Sequence, residues 1–256
     1  MNTSILLDAP VGALVAERPS RSLIFEAAGI DYCCAGSSTL RAACAVKGLD
    51  AEVMAAKIID FDSVTSEPEV SWVTEPLTAI CNHIEATHHA FLKASLPRLL
   101  GLTEKVKRAH GTDDPRLVTL NALFQRFHDE LTEHMNKEEY VLFPMCRALD
   151  MQAVPLVGSD NGNSLPSGSP GPVDLQCCSI RTPIRVMMEE HDDAGAALAE
   201  MRALTDGFRV PLHACPTYRA MLHGLSELEQ DMHTHVHLEN SVLFPRASEK
   251  ADTTGS

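Results

Sequence analysis

The stretch "HMNKEEYVLFP", His134 to Pro144, returns 101 residues later as "HVHLENSVLFP", His235 to Pro245. Both copies share one skeleton: His, three residues, Glu, three residues, then Leu-Phe-Pro. Residues four apart on a helix lie on one face, so each copy points an imidazole and a carboxylate the same way. That face is otherwise apolar. In the first copy the stripe reads Phe124, Phe127, Leu131, His134, Glu138, Val141; in the second, Leu225, Leu228, Met232, His235, Glu239, Val242. The polar pairs therefore occupy core positions. An unpaired buried carboxylate costs several kcal/mol, roughly, after relaxation, and two facing each other repel. A polyvalent cation removes both penalties. Glu139 is an alternative to Glu138, but the second copy reads Glu239-Asn240, so Glu138 is the equivalent position.

Working outward, each copy closes the second helix of a hairpin. The periodicity predicts a long helix from Pro76 to about His110, kinked at Pro97, and a second from about Pro115 to Phe143, closed by Pro144. A third is expected from about Pro183 to Leu204 and a fourth from about Thr217 to Phe244, closed by Pro245. The Gly-, Ser- and Pro-rich segment over about 151–180, with Cys177 and Cys178, reads as a long connection between hairpins. The pattern is all-α: a four-helix bundle over 72–248, preceded by a small helical domain over 1–62. In that domain Ser20 to Ala28, Ser38 or Thr39 to Gly48, and a stretch capped by Asp50 read as three short helices.

The first helix of each hairpin also places histidine on its apolar face. His191 interrupts the stripe Ile184, Met187 (or Met188), Leu198. On helix one, Cys81 and Ile84 favour His88, whereas Leu92, Leu96 and Leu99 favour His89, and periodicity leaves the two tied. A lone histidine on such a face is more often a hydrogen-bonded core residue; the repeated His-Glu pair is what singles these positions out. Four imidazoles and two carboxylates suit iron, manganese or zinc, and six donors with carboxylates to share suit two metals better than one. The set is richer in nitrogen than the Glu-x-x-His ferritin-like centres and is more similar to a hemerythrin centre. The remaining histidines (His83, His110, His128, His213, His223, His233 and His237) read as surface or supporting positions.

Composition excludes several function classes. A formal charge of −14 disfavours nucleic acid and anionic membrane surfaces, which require basic faces. No apolar run reaches bilayer length, and the N-terminus lacks a basic leader followed by an apolar core. Eight cysteines, two pairs of them adjacent, do not resemble a secreted disulfide framework. The expectation is a cytoplasmic protein. Neighbouring Cys33 and Cys34 cannot close an ordinary disulfide without strain. They read either as small, partly buried residues or as a soft-ligand or redox pair.

Taken together, "DYCCAGSSTL" (Asp31 to Leu40), "HIEATHHAFL" (His83 to Leu92), "MEEHDDAG" (Met188 to Gly195) and the two repeated phrases resemble the iron–sulfur cluster repair di-iron family, RIC. The resemblance covers nearly the whole chain. It implies iron ligands His89, His134, Glu138, His191, His235 and Glu239, which resolves the tie on helix one. It also implies a non-haem centre of two iron ions, bridged by Glu138 and Glu239 and by an oxo group. The implied activity is repair of clusters damaged by nitric oxide or oxidants, as iron donor or redox agent, with Cys33 and Cys34 at the contact with the client. Damaged iron–sulfur proteins are the implied partners, and a homodimer is a candidate assembly. The competing class is a hemerythrin-type binder, sensor or scavenger of dioxygen or nitric oxide, or an enzyme reducing nitric oxide. Two departures stand out: Ala35 where the family more often has Gly, and the longer middle connection.

Overall fold

The computed structural model of the chain describes residues 3–64, 71–152 and 179–254. These are helical throughout, apart from turns and one isolated extended bridge between Pro10 and Thr39. The expected connection over about 151–180, with Cys177 and Cys178, lies almost entirely outside the described residues. No helix among the described residues is long and apolar enough to cross a membrane.

The N-terminal unit contains α1 (Thr3–Asp8), α2 (Val11–Glu17), a 3-10 turn (Pro19–Arg21), α3 (Ser22–Ala28), α4 (Leu40–Val46) and α5 (Ala51–Val64). The three expected helices are α3 to α5. Gly29 ends α3 with φ +65°, Thr39 accepts from Ala42 N–H at the start of α4, and Asp50 accepts from Glu52 and Val53 N–H at the start of α5. Helices α1 and α2 were not legible, because Pro10 and Pro19 divide the apolar run into pieces of about two turns or less. Leu6, Val11, Phe25, Leu40 and Ile58 form the core of the unit. The buried Arg21 ties it to Glu17 (2.7 Å) and Asp62 (2.6 Å).

The bundle consists of four rods. The first joins α6 (Leu77–Ile84), a π-turn (Glu85–His89) and α7 (Ala90–His110). The second joins α8 (Arg116–Lys137), a π-turn (Glu138–Leu142) and α9 (Phe143–Gln152). The third is α10 (Arg181–Leu204). The fourth joins α11 (Pro216–Leu238), a π-turn (Glu239–Leu243) and α12 (Phe244–Thr254). Helix α7 lies beside α8 and α11, α10 beside α8, and α6 and α12 beside α9.

Pro144 and Pro245 do not close their helices, which continue to Gln152 and Thr254. A proline in a regular α-helix loses one hydrogen bond and its ring meets the carbonyl four residues back. Here each proline follows a widened turn in which the preceding phenylalanine N–H bonds five residues back, Phe143 to Glu138 O and Phe244 to Glu239 O. The extra width accommodates the ring, so the rod passes it. Of the two equivalent valines expected in the core, Val242 is buried and Val141 is 52% exposed, while Leu142 and Phe143 are buried beside it.

Two apolar clusters fill the bundle. One is built on Leu92, Leu96, Phe124, Leu131, Met201 and Leu228; the other on Leu77, Ile80, Phe143, Ile184, Val242 and Phe244. Along the rods, a buried layer of ionisable side chains separates them.

Candidate metal centre

That layer holds His89, His134, Glu138, His191, His235 and Glu239, none more than 3% exposed. The π-turns place three of them: His89 ends one, and Glu138 and Glu239 begin the others. Such turns are frequent at functional sites because the widened register re-aims a side chain.

The two halves are arranged alike. Glu138 lies between His89 Nε2 (3.3 Å) and His134 Nε2 (3.4 Å), and Glu239 between His191 Nε2 (3.1 Å) and His235 Nε2 (3.2 Å). Across the halves, His134 Nε2 and His191 Nε2 are 3.1 Å apart. Donor atoms of His89, Glu138, His235 and Glu239 all lie within 4.8 Å of one another, and so do those of His134, Glu138, His191 and Glu239. Both groups contain the same two glutamates.

Hydrogen bonding leaves this layer unfinished. Both carboxylate oxygens of Glu138, Oε2 of Glu239 and Nε2 of His89 are buried without a hydrogen-bond partner. A buried donor or acceptor left unpaired costs about 1–3 kcal/mol, more when charged. Convergent unpaired carboxylate and imidazole atoms are the donor set that a cation satisfies, so the residues fit a metal. Without one, protons must balance the charge. Burial and the Glu239 charge push the Glu138 carboxyl up, but His134 and His89 outweigh them and hold it below the ordinary range. Burial likewise opposes ionisation of Glu239, and His235 and His191 hold it well below that range. Burial lowers His134, yet Glu138, Glu239 and Glu190 carry it up to about 9. For His235 burial wins, and its pKa falls.

Three of the four outer nitrogens are anchored, and His235 Nδ1 is buried without a hydrogen-bond partner. His89 Nδ1 bonds Glu139 Oε1 at 2.8 Å, His134 Nδ1 bonds Glu190 Oε2 at 2.8 Å, and His191 Nδ1 bonds Asn240 Oδ1 at 2.9 Å. Donation from Nδ1 turns Nε2 toward the centre and raises its basicity. Glu139 and Asn240 hold the same place in the two repeats, one residue after the central glutamate. Pairing of the two repeats excludes Glu139 as a donor, and its role is the one it shares with Asn240, holding an imidazole Nδ1. The repeated phenylalanine is also explained: Phe143 stacks on His89 (5.6 Å between centroids) and Phe244 on His191 (5.8 Å). His88 stands outside the donor set, stacked on His235 at 5.3 Å with Nδ1 on Asp231. His83 stacks on Trp72, and His237 is buried beneath Tyr32, where burial lowers it to about 4.

Cys33 and Cys34 sit against the same layer. Asp31 Oδ1 accepts from the N–H groups of Cys33 (3.0 Å) and Cys34 (2.9 Å) and from the Cys33 thiol (3.2 Å), holding the sulfurs 3.9 Å apart. Contact with Cys34, burial and Asp31 all push the Cys33 thiol up. Cys34 Sγ lies 3.7 Å from the His191 carbonyl oxygen, beside Gly195, where an added Cβ would come within 3.1 Å of the sulfur. Asn240 donates through Nδ2 to Cys33 O (3.4 Å) while its Oδ1 holds His191. Ala35 is exposed and is not among the residues of positive φ, so the turn accepts its methyl group. Gly36 is the residue the loop requires, since a Cβ there would lie 2.6 Å from Tyr32 O.

Residues 7–62 match a domain of unknown function, DUF542, and residues 82–157 and 178–247 match the hemerythrin HHE cation-binding domain. The chain is 35% identical over 242 residues to the iron–sulfur cluster repair protein YtfE of Escherichia coli O157:H7, covering 94% of this chain and 96% of that one. The YtfE protein of Shigella boydii serotype 4 matches with the same identity and coverage. With both domains matched and the similarity running almost from end to end, the chain belongs to the iron–sulfur cluster repair family, RIC.

Proposed function

We propose that this protein repairs iron–sulfur clusters damaged by nitric oxide or oxidants, using a centre of two iron ions. His89 and His235 would hold one ion and His134 and His191 the other, with Glu138 and Glu239 bridging. Bound iron supplies a releasable metal and a redox couple. The protein's part is to keep the donors dry, to fix the imidazoles of His89, His134 and His191 through their Nδ1 partners, and to present two thiols beside one donor. Thiolates are soft iron ligands, and reprotonation releases the metal. The observation that carries the proposal is the position of Cys34 Sγ over the His191 carbonyl, because a protein that only binds a gas has no need of thiols there. The clients are proteins with damaged clusters.

The test separates the thiols from the centre. Cys33→Ala with Cys34→Ala is expected to leave iron content at about two per chain, since six donors for two metals remain. The double variant is expected to fail to restore a cluster enzyme inactivated by nitric oxide, in cells lacking the native gene. Full recovery would instead assign the protein to gas binding. One zinc and no iron after anaerobic iron loading would end the di-iron reading.

A further inference from the structure

His235 Nδ1, Asp231 Oδ2 and His88 Nε2 are all buried without a hydrogen-bond partner, and contacts link the three residues. His88 Nδ1 lies 2.9 Å from Asp231 Oδ1, and its ring stacks on that of His235, 2° from parallel and 5.3 Å between centroids. Asp231 stands four residues before His235 on α11, one turn away on the same helix face. What each atom needs follows from what its residue does elsewhere. Nε2 of His235 points into the donor layer, 3.2 Å from Glu239 Oε1, so with Nε2 given to a metal the proton sits on Nδ1, which donates. His88 donates from Nδ1 to the Asp231 carboxylate, so its Nε2 accepts, as does Asp231 Oδ2.

We propose that Asp231 is the positioning residue of His235, acting through one buried water that His88 helps to hold. The inference rests on the di-iron reading and adds the support of its fourth histidine. A water donates two hydrogens and accepts at least one, which matches two acceptors and one donor, and about three hydrogen bonds is usual for a buried water. Asp231 and His235 do not bond directly, although Cβ atoms four apart on a helix are only about 5–6 Å from each other. Two hydrogen bonds of about 2.8 Å through a water reach across a gap of that size, and such a bridge is enthalpically nearly as good as a direct bond. The fourth imidazole then follows the other three. Glu139, Glu190 and Asn240 hold theirs directly, and Asp231 holds His235 at one remove. The arrangement also gives a role to His88, which is buried on the same helical turn as His89 without entering the donor set.

A crystal structure of the metal-free protein tests the water itself. One ordered water within about 3.2 Å of both His235 Nδ1 and Asp231 Oδ2 is expected. A direct bond between the two, a metal ion in that place, or no ordered water there overturns the proposal. Chelator competition on the iron-loaded protein tests the role. Asp231→Val removes the acceptor and is expected to weaken iron binding about 10–100-fold, the usual cost of an outer partner. Asp231→Asn keeps an oxygen for the water and should lose less than about tenfold. Proton NMR of the diferrous protein separates positioning from loss of structure, because bound iron shifts the Nδ1 protons of the four imidazoles away from all others. In Asp231→Val one of these signals should move and exchange faster with solvent while the rest stay. Unchanged affinity, or equal disturbance of all the signals, overturns the positioning role. A wild-type protein that binds no iron refutes the di-iron reading instead, and the metal-free structure still decides the water.

Discussion

Glu138 has no exposed atom and no hydrogen-bond donor on either oxygen, a state tolerable only beside positive charge. The residues around it divide into those that supply this charge and those that hold the suppliers. Glu139→Ala removes the acceptor from His89 Nδ1 but no donor of the centre. Loss of such an outer partner typically costs 10–100-fold in metal affinity, so competition against a chelator is expected to show that drop while saturating iron still fills the centre. Complete loss of iron would make Glu139 a ligand. Its role was hidden because Glu139 lies off the apolar face, and periodicity reports burial, not hydrogen bonding. Protonation gives a second prediction. In the metal-free protein His134 is raised to about 9, above an unfolded value of about 6.5. Its stabilising contribution is therefore complete below the unfolded value and is lost as pH rises through about 9. Iron needs the Nε2 lone pair and displaces that proton. Calorimetry in buffers of different ionisation enthalpy is expected to detect proton release on iron binding at pH 7.5. The apparent affinity should fall as pH is lowered from 9. Binding without proton release would contradict the charge balance described for the centre.

At the level of elements, the rods were legible from period and punctuation, and the π-turns were not. They nevertheless left a trace. The tie between His88 and His89 arose because upstream and downstream apolar residues disagree by one position. One inserted residue produces that disagreement, and the turn Glu85–His89 contains it. The same kind of insertion in the second and fourth rods explains why a proline rule that holds for regular helices fails at Pro144 and Pro245. Register is therefore testable apart from side-chain chemistry. Tyr140 is 76% exposed, so Tyr140→Ala is expected to change stability by less than about 0.5 kcal/mol, as surface substitutions do. Deleting Tyr140 instead turns everything after Glu138 by about 100° relative to it, one residue of α-helix. Leu142, Phe143 and Cys146 would leave the core. The deletion is expected to cost more than about 4 kcal/mol and to abolish iron binding, measured by denaturant unfolding and iron analysis. A deletion variant as stable as the wild type would show that the π-turn is dispensable.

On the scale of the whole molecule, the question is how far the bundle depends on the unit docked to it. All six proposed donors lie within 72–256, and each His-Glu pair is set by helices of the bundle itself. The N-terminal unit nevertheless completes its surface. Ala16 joins one apolar cluster of the bundle and Cys33 the other. Tyr32 lies 5.4 Å from the His237 ring, and Gly12 approaches Ser241 so closely that a Cβ would come within 2.5 Å of its hydroxyl oxygen. Removing the unit uncovers this apolar area and leaves Asn240 Nδ2 to water, a loss of about 2–3 kcal/mol if two or three small side chains' worth of contact is exposed. For a domain of this size each kcal/mol corresponds to about 2–4 °C. A fragment beginning at Trp72 is therefore expected to fold, to bind the same iron per chain as the full protein, and to melt about 5–10 °C lower. Thermal scans of both iron-loaded proteins, paired with iron analysis, measure this. The fragment should also fail in cluster repair, since Cys33 and Cys34 are gone, so stoichiometry and activity should separate in one molecule. An unfolded fragment, or a folded one without iron, would mean that the docked unit helps to hold the donors in place.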